Sequence, residues 1–429
     1  SRAPWESYRV SSGGTCSSVI AAHGTGIKIS DVITLSGGVS NSGKITATSG
    51  TGIQVTGSNV AMLGNASASG SVVNSGTISA AKGIVVQSST IAGAIINGSV
   101  IVAKGDFLGR SDGIVVRGVS TFLGGVSNRG SISAGHIGIE FGKSTTNAFG
   151  VSSVVGSIVN SGTITAKTGI ALYASTITSG IMDSGSIKAT SHGILIERAS
   201  EVLSSKTAID IAGPTFTGGI SNSGVVSGSA GILIKSAHSV SIFDGGVIVG
   251  TGGTAIEFAG SGNTLTLGAG YVISGIVDPT GRNTLQLGGT GSAGFDLSSI
   301  GSAAQYRGFT TFNVVGGTWT VTSASTAHWT IKSGTLELAS GGELTSTTVS
   351  KGGTLVVESG GTASGSFVKA GGTEIIESGS VVSGATISSG GTVELVGGIA
   401  LPPGVQIGAG AILGPVSYTH LTLPTILRV

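Results

Sequence analysis

Lys332-Ser-Gly-Thr-Leu-Glu-Leu-Ala-Ser-Gly-Gly342 opens a run that divides, without a gap, into four blocks of 19 residues ending at Ile407. The second block begins Lys351-Gly-Gly-Thr-Leu-Val-Val-Glu-Ser-Gly-Gly361 and the third Ala370-Gly-Gly-Thr-Glu-Ile-Ile-Glu-Ser-Gly379. The fourth begins Ser389-Gly-Gly-Thr-Val-Glu-Leu-Val-Gly-Gly398. Gly334, Gly353, Gly372 and Gly391 share one phase; Gly341, Gly360, Gly379 and Gly398 share another. A fixed period of this length signals stacked equivalent units rather than a core closed on itself. Short aliphatic runs bounded by glycine are too short for helices and read as strands. Glycine supplies the positive φ that a sharp corner needs. Each block is therefore one coil, and coils stack at strand spacing, roughly 4.8 Å. The expected fold is all-β, a right-handed parallel β-helix (β-solenoid).

Composition extends that expectation to the whole chain. Glycine makes up 78 of 429 residues, about 18%, against roughly 7% in ordinary proteins. Only 9% of residues are charged and 39% are hydrophobic, the reverse of a disordered low-complexity chain. Seven prolines, without glycine at every third position, exclude collagen. A net charge of +2 with no basic cluster argues against a nucleic-acid partner. The single Cys16 cannot form an internal disulfide and suits a chain exported unfolded. With Ser1 at its start and no signal peptide, the chain reads as a fragment of a longer product. Residues 416–429 break the Gly/Ser/Val texture and read as a non-native, adapter-derived tail.

A looser repeat occupies residues 31–260. It reads Val39-Ser-Asn41-Ser-Gly-Lys-Ile45, Val72-Val-Asn74-Ser-Gly-Thr-Ile78, Val126-Ser-Asn128-Arg-Gly-Ser-Ile132 and Ile158-Val-Asn160-Ser-Gly-Thr-Ile164. Ile181-Met-Asp183-Ser-Gly-Ser-Ile187 and Ile220-Ser-Asn222-Ser-Gly-Val-Val226 continue it, and Ile95-Ile-Asn97-Gly-Ser is an eroded copy. A Gly-Ile pair follows each copy, as at Gly83-Ile84 and Gly169-Ile170. Asn-Ser-Gly is turn chemistry, and stacked in register these side chains would form an amide ladder at one corner. Asn41, Asn74, Asn128, Asn160, Asp183 and Asn222, with Gly353, Gly372 and Gly391, are accordingly expected to be structural turn and ladder residues. Unequal spacing implies excursions near residues 104–112, 142–150 and 197–216, the first places to look for specificity. The segment 261–331 connects the two repeat zones and is richer in aromatics, 332–415 carries the 19-residue coils, and 1–30 forms an N-terminal end with possible first coils.

Enzyme chemistry on a solenoid needs paired carboxylates, or carboxylates holding a metal ion beside a base. The most suggestive pairs are Glu197/Glu201, Glu374/Glu377 and Glu358/Glu377, the last one period apart and read as solvated surface groups. His23, His136, His192, His238, His328 and His420 are isolated, without metal-ligand spacing. Trp319 and Trp329 are read as core residues. No catalytic residue, cofactor or metal is expected.

The Ser-Gly-Gly-Thr block resembles the repeat of AIDA-type adhesins, passenger domains of type V secreted autotransporters. The Asn-Ser-Gly-Thr-Ile coils and the stretch from Asn283-Thr-Leu-Gln-Leu to Gly317-Thr-Trp-Thr-Val321 are similar to Gram-negative autotransporter passengers, so the resemblance covers about residues 31–414. It implies export through a C-terminal translocator β-barrel that this sequence lacks, and display at the bacterial outer membrane. It further implies adhesion to cell-surface or matrix glycans or proteins, or self-association between passengers in autoaggregation and biofilm. Two alternatives stand beside it: a polysaccharide-active β-helix enzyme, and a stalk presenting an N-terminal domain.

Overall fold

Each long strand of this chain lies beside the equivalent strand of the next coil. Thr163–Leu172, for example, pairs in parallel with Ser186–Ile196, Ile164 opposite Ile187 and Ile170 opposite Ile194. The computed structural model describes Tyr8–Arg9, Gly14–Cys16 and residues 20–414, apart from 31–33, 37, 58–60, 64–69, 88–89, 106–108, 143–150, 152, 198, 214, 218 and 237. The tail read as non-native, 416–429, lies outside the described residues, as do 1–7, 10–13 and 17–19 of the N-terminal end. Strands stack in parallel sheets and no α-helix occurs among the described residues. The fold is a parallel β-helix. It divides into two compact units, one of residues 1–263 and 272–281, the other of 264–271 and 282–429.

In the first unit, alternate side chains of each strand point inward and form continuous columns. Ile45, Ile78, Ile101, Ile132, Ile164 and Ile187 stack one per coil. None is more than 1% exposed, so each is worth about 1.5–3 kcal/mol in burial. The recurrent Gly-Ile pair has a steric origin. A β-carbon on Gly83, Gly113 or Gly138 would lie 2.4 Å from the Cγ2 methyl of Ile101, Ile132 or Ile164. The isoleucine branch of one coil occupies the space that glycine leaves in the coil before it.

The sheets exchange roles part-way along this unit. Up to Ile196 the long strands (Thr77–Gln87, Thr163–Leu172, Ser186–Ile196) belong to one sheet, and the opposite sheet holds short pieces such as Ile158–Asn160 and Thr176–Ile177. Beyond it the opposite sheet carries the long strands, Val225–Ile234 and Val247–Phe258, and the first sheet holds Thr215–Phe216 and Ile220–Asn222. This corrects the expected excursion at 197–216. The described residues there include the strands Glu201–Leu203, Thr207–Ile211 and Thr215–Phe216, each paired to its neighbours, with only a short lengthening between the first two. Asp183 lies opposite Ile211, and Asn222 opposite Ile196. The long interval from Asp183 to Asn222 is thus one coil and part of the next, not one coil with a loop.

The other two insertions are visible in the flanking register. Pairs Ala80–Ala103 and Ile84–Ile114 bracket three residues (81–83) on one coil and ten (104–113) on the next. Pairs Val116–Phe141 and Thr121–Ser153 bracket four (117–120) and eleven (142–152). Parts of both insertions, 106–108 and 143–150, lie outside the described residues.

The second unit is more regular. One coil consists of Gly353–Val357, Thr362–Ser364 and Phe367–Val368, and pairs with Thr373–Glu377, Val381–Ser383 and Thr386–Ile387. Thr354 meets Thr373 and Thr373 meets Thr392, at 19 residues, but Thr392 meets Ile412 and Ile387 meets Ile407, at 20. The fourth coil is therefore one residue longer than the 19-residue reading. Ahead of these coils, Phe295, Tyr306, Phe312 and Trp329 interlock with ring centroids 5.4–6.1 Å apart. Trp319 and Trp329 are each 1% exposed.

Candidate functional site

The corner asparagines form a hydrogen-bonded ladder. Asn41 Nδ2 donates to Asn74 Oδ1, Asn74 to Asn97, and Asn97 to Asn128, each at 2.8 Å. Asn128 donates to Asn160 and Asn160 to Asp183, both at 2.7 Å. The eroded copy, Asn97, is a full member. Remaining amide protons reach backbone carbonyls, as from Asn74 to Val100 O at 3.3 Å. The asparagines are fully buried and Asp183 is 1% exposed, so the ladder meets no ligand and its chemistry is structural.

Asn222 stands apart from this ladder. It starts a second one, donating to Asp244 Oδ1 at 2.7 Å. Both ladders end on an aspartate whose Oδ2 is buried without a partner. Burial pushes the Asp244 carboxyl up to about 6, against the hydrogen bonds from Asn222 and Gly246. The Asp183 carboxyl is raised for the same reason. Asp244 was missed in the sequence, although Ile242-Phe-Asp244-Gly-Gly-Val-Ile248 keeps the corner pattern with glycine in place of serine.

Gly353, Gly372 and Gly391 sit at corners, but the left-handed backbone belongs to the glycines before them. Gly352, Gly371 and Gly390 have φ of 84°, 76° and 74°. At the three predicted glycines the constraint is space. A β-carbon there would come within 2.4, 2.7 and 2.8 Å of the carbonyl oxygens of Ile331, Val349 and Val368 respectively.

The acidic pairs separate. Glu374 points into the core, fully buried, in the column Leu336, Leu355, Glu374, Val393. Its carboxyl oxygens lie 2.9 and 2.7 Å from the Ser366 hydroxyl, and burial lifts its pKa to about 7. Glu377 is half-exposed on the outer face. Glu358 is raised by desolvation and by the charges of Glu337 and Glu377. Glu197 and Glu201 flank a corner, and neither carboxylate accepts a hydrogen bond among the described residues.

One histidine is not isolated. His136 Nδ1 lies 2.9 Å from Asp112 Oδ1, with the imidazole 40% and the carboxylate 5% exposed. Asp112 closes the insertion 104–113, and His136 sits one coil on. Beside them Glu140 occupies an outer-face column with Val85, Val115 and Ala171, all buried. Burial, and then the Asp112 charge, push Glu140 up to about 7, with Arg117, Arg110 and Lys82 opposing. Its carboxyl accepts no hydrogen bond among the described residues, and at 6% exposure it is shut off from a substrate. The signal was hidden because Asp112 and His136 are juxtaposed only once the length of the insertion is known. Among the described residues, no group of three or more His, Cys, Asp or Glu side chains could hold a metal ion.

The outer face of the second sheet carries a step. Three residues (155–157) separate the paired positions Val154 and Ile158, and three (178–180) separate Ile177 and Ile181. On the next coil, six (203–208) separate Val202 and Ile209. The longer segment borders a groove of about 390 Å³, lined by Thr178, Met182, Ser204, Lys206, Thr207 and Asp210 among others.

Compared with models of protein families and with curated protein sequences, the chain matches none.

Proposed function

We propose that this chain is the passenger part of a type V secreted autotransporter and acts without catalysis, as a surface adhesin or self-association module. The observation that carries this reading is the stacking of equivalent outer-face side chains in register. Thr335, Thr354, Thr373 and Thr392 form one such column, repeating a single hydroxyl at every coil. A surface of this kind offers many weak, identical contacts, and multiplicity turns weak contacts into firm attachment. Coil-on-coil stacking also suits export, because each coil gains its stability from its immediate neighbours. The resemblance of the 19-residue block to AIDA-type repeats supplies the secretion route.

The test uses the purified chain and cells displaying it. Sedimentation of displaying cells, together with binding of the soluble chain to a panel of glycans and matrix proteins, is the expected result. Absence of both self-association and binding would end the proposal.

A further inference from the structure

The step in the second sheet makes a concave site whose walls differ in chemistry. Along the outer column Val159, Met182, Asp210, Leu233, successive coils change from apolar to acidic at the groove itself. Met182 is 39% exposed, and Leu123 and Val155, each just past the end of a strand of the same sheet, are 46% and 45% exposed. On the other side, Asp210 Oδ2 accepts from Lys235 Nζ at 3.1 Å, while Oδ1 is buried and accepts nothing. A carboxylate can accept several hydrogen bonds, and rotation about its broad terminal torsion presents either oxygen. Lys206 is exposed and its ammonium makes no ion pair among the described residues. The Thr178 and Ser157 hydroxyls donate to the carbonyls of Val154 and Ser179, leaving their oxygens as acceptors.

A polar edge facing an apolar face, at a volume within the roughly 300–1,000 Å³ of small-molecule sites, suits one chemical class. A hexose has vicinal hydroxyls along its edge and a patch of C–H groups on its face. We infer that the groove binds one neutral hexose residue of a glycan, its C–H face on the adaptable Met182 thioether and vicinal hydroxyls on Asp210 and Lys206. This deepens the adhesion reading and rests on it.

The experiment is saturation-transfer NMR on the intact chain with methyl α-mannoside, methyl β-glucoside and methyl β-galactoside. Transfer to at least one glycoside is expected. Asp210→Asn should weaken it tenfold or more, and Lys206→Ala several-fold, with circular dichroism unchanged. Lys206 is exposed, so its variant keeps the test open if Asp210→Asn fails to fold. No transfer to any of the three glycosides, or transfer indifferent to both substitutions, overturns the inference. Displaying cells separate the two ideas. Adhesion that persists in Asp210→Asn and Lys206→Ala removes the groove but keeps the adhesin. A chain that neither aggregates nor adheres removes the adhesin reading, whatever the glycosides do.

Discussion

The two repeat regions turn their corners in different ways. In the first unit the corner is held by side chains. The amide ladder spans sequence intervals of 33, 23, 31, 32 and 23 residues with donor–acceptor distances of only 2.7–2.8 Å throughout. In the repeats from residue 332 on, within the second unit, the corner is held by backbone, through glycines at positive φ and glycines pressed against carbonyl oxygens, and the interval is 19 residues until the last coil. A ladder fixes one point per coil and lets the chain wander between points. Corners of bare backbone leave no such slack, because every residue must return to register. The irregular region therefore accommodates insertions, and both of the longer ones, 104–113 and 142–152, are bracketed by laddered coils.

Breaking the ladder in the middle should have the largest effect. Asn97→Leu leaves one N–H of the Asn74 amide and the Asn128 side-chain carbonyl buried and unpaired, at about 4 kcal/mol for the two groups together. Thermal unfolding should show the first unit melting earlier; an unchanged melting temperature would mean that the ladder follows the fold rather than holding it.

The next effect sharpens the contrast through pH. The Glu374 pKa rises from an ordinary 4.5 to about 7 in the folded chain. Its contribution to stability is fully present below about pH 4.5 and lost as pH rises through 7. Replacing both partners, Glu374→Leu with Ser366→Ala, should stabilise the second unit by about 3 kcal/mol at pH 8 and flatten its pH dependence. Denaturant midpoints at pH 5 and pH 8 measure this, and an equal gain at both would remove titration as the cause.

A smaller loss, about 2 kcal/mol, is expected from Gly353→Ala, whose β-carbon would overlap Ile331 O. The same substitution at Gly253, which has open space around it, meets only the backbone strain of its positive φ. Circular-dichroism melts of the two variants compare space with strain directly. A second pH-dependent effect belongs to Asp244. Its carboxyl, raised from 3.8 to about 6, should lose stability as pH rises across that window, and Asp244→Asn should abolish this part of the profile.

How much of this was legible follows from the same contrast. The 19-residue period is written in the second unit, and so is its exception, since Glu374 stands in the slot that Leu336 and Leu355 fill in the aligned blocks. In the first unit the Asn-Ser-Gly corners mark the ladder but not the sheet that follows each corner. Asn222-Ser-Gly reads like Asn160-Ser-Gly although it opens onto the opposite sheet. Residue spacing cannot reveal that exchange, because 39 residues suit a coil with a loop as well as a coil and a part. The ranges 104–112 and 197–216 pointed to the neighbourhoods of Asp112 and Asp210, but the Asp112–His136 contact and the groove itself were hidden because both depend on coil lengths that vary. The resemblance to adhesin repeats concerns texture, which is why it names a class of surface and no contact residue.

The ladder also has a direction. Every amide hands its proton to the coil that comes later in the chain. As coils are added in chain order, a freshly wound turn therefore carries an unspent valence, which is answered only when its successor settles. An aspartate accepts but has nothing to pass on, so Asp183 and Asp244 act as chain terminators in the polymer chemist's sense. An asparagine at either place would leave the growing end open.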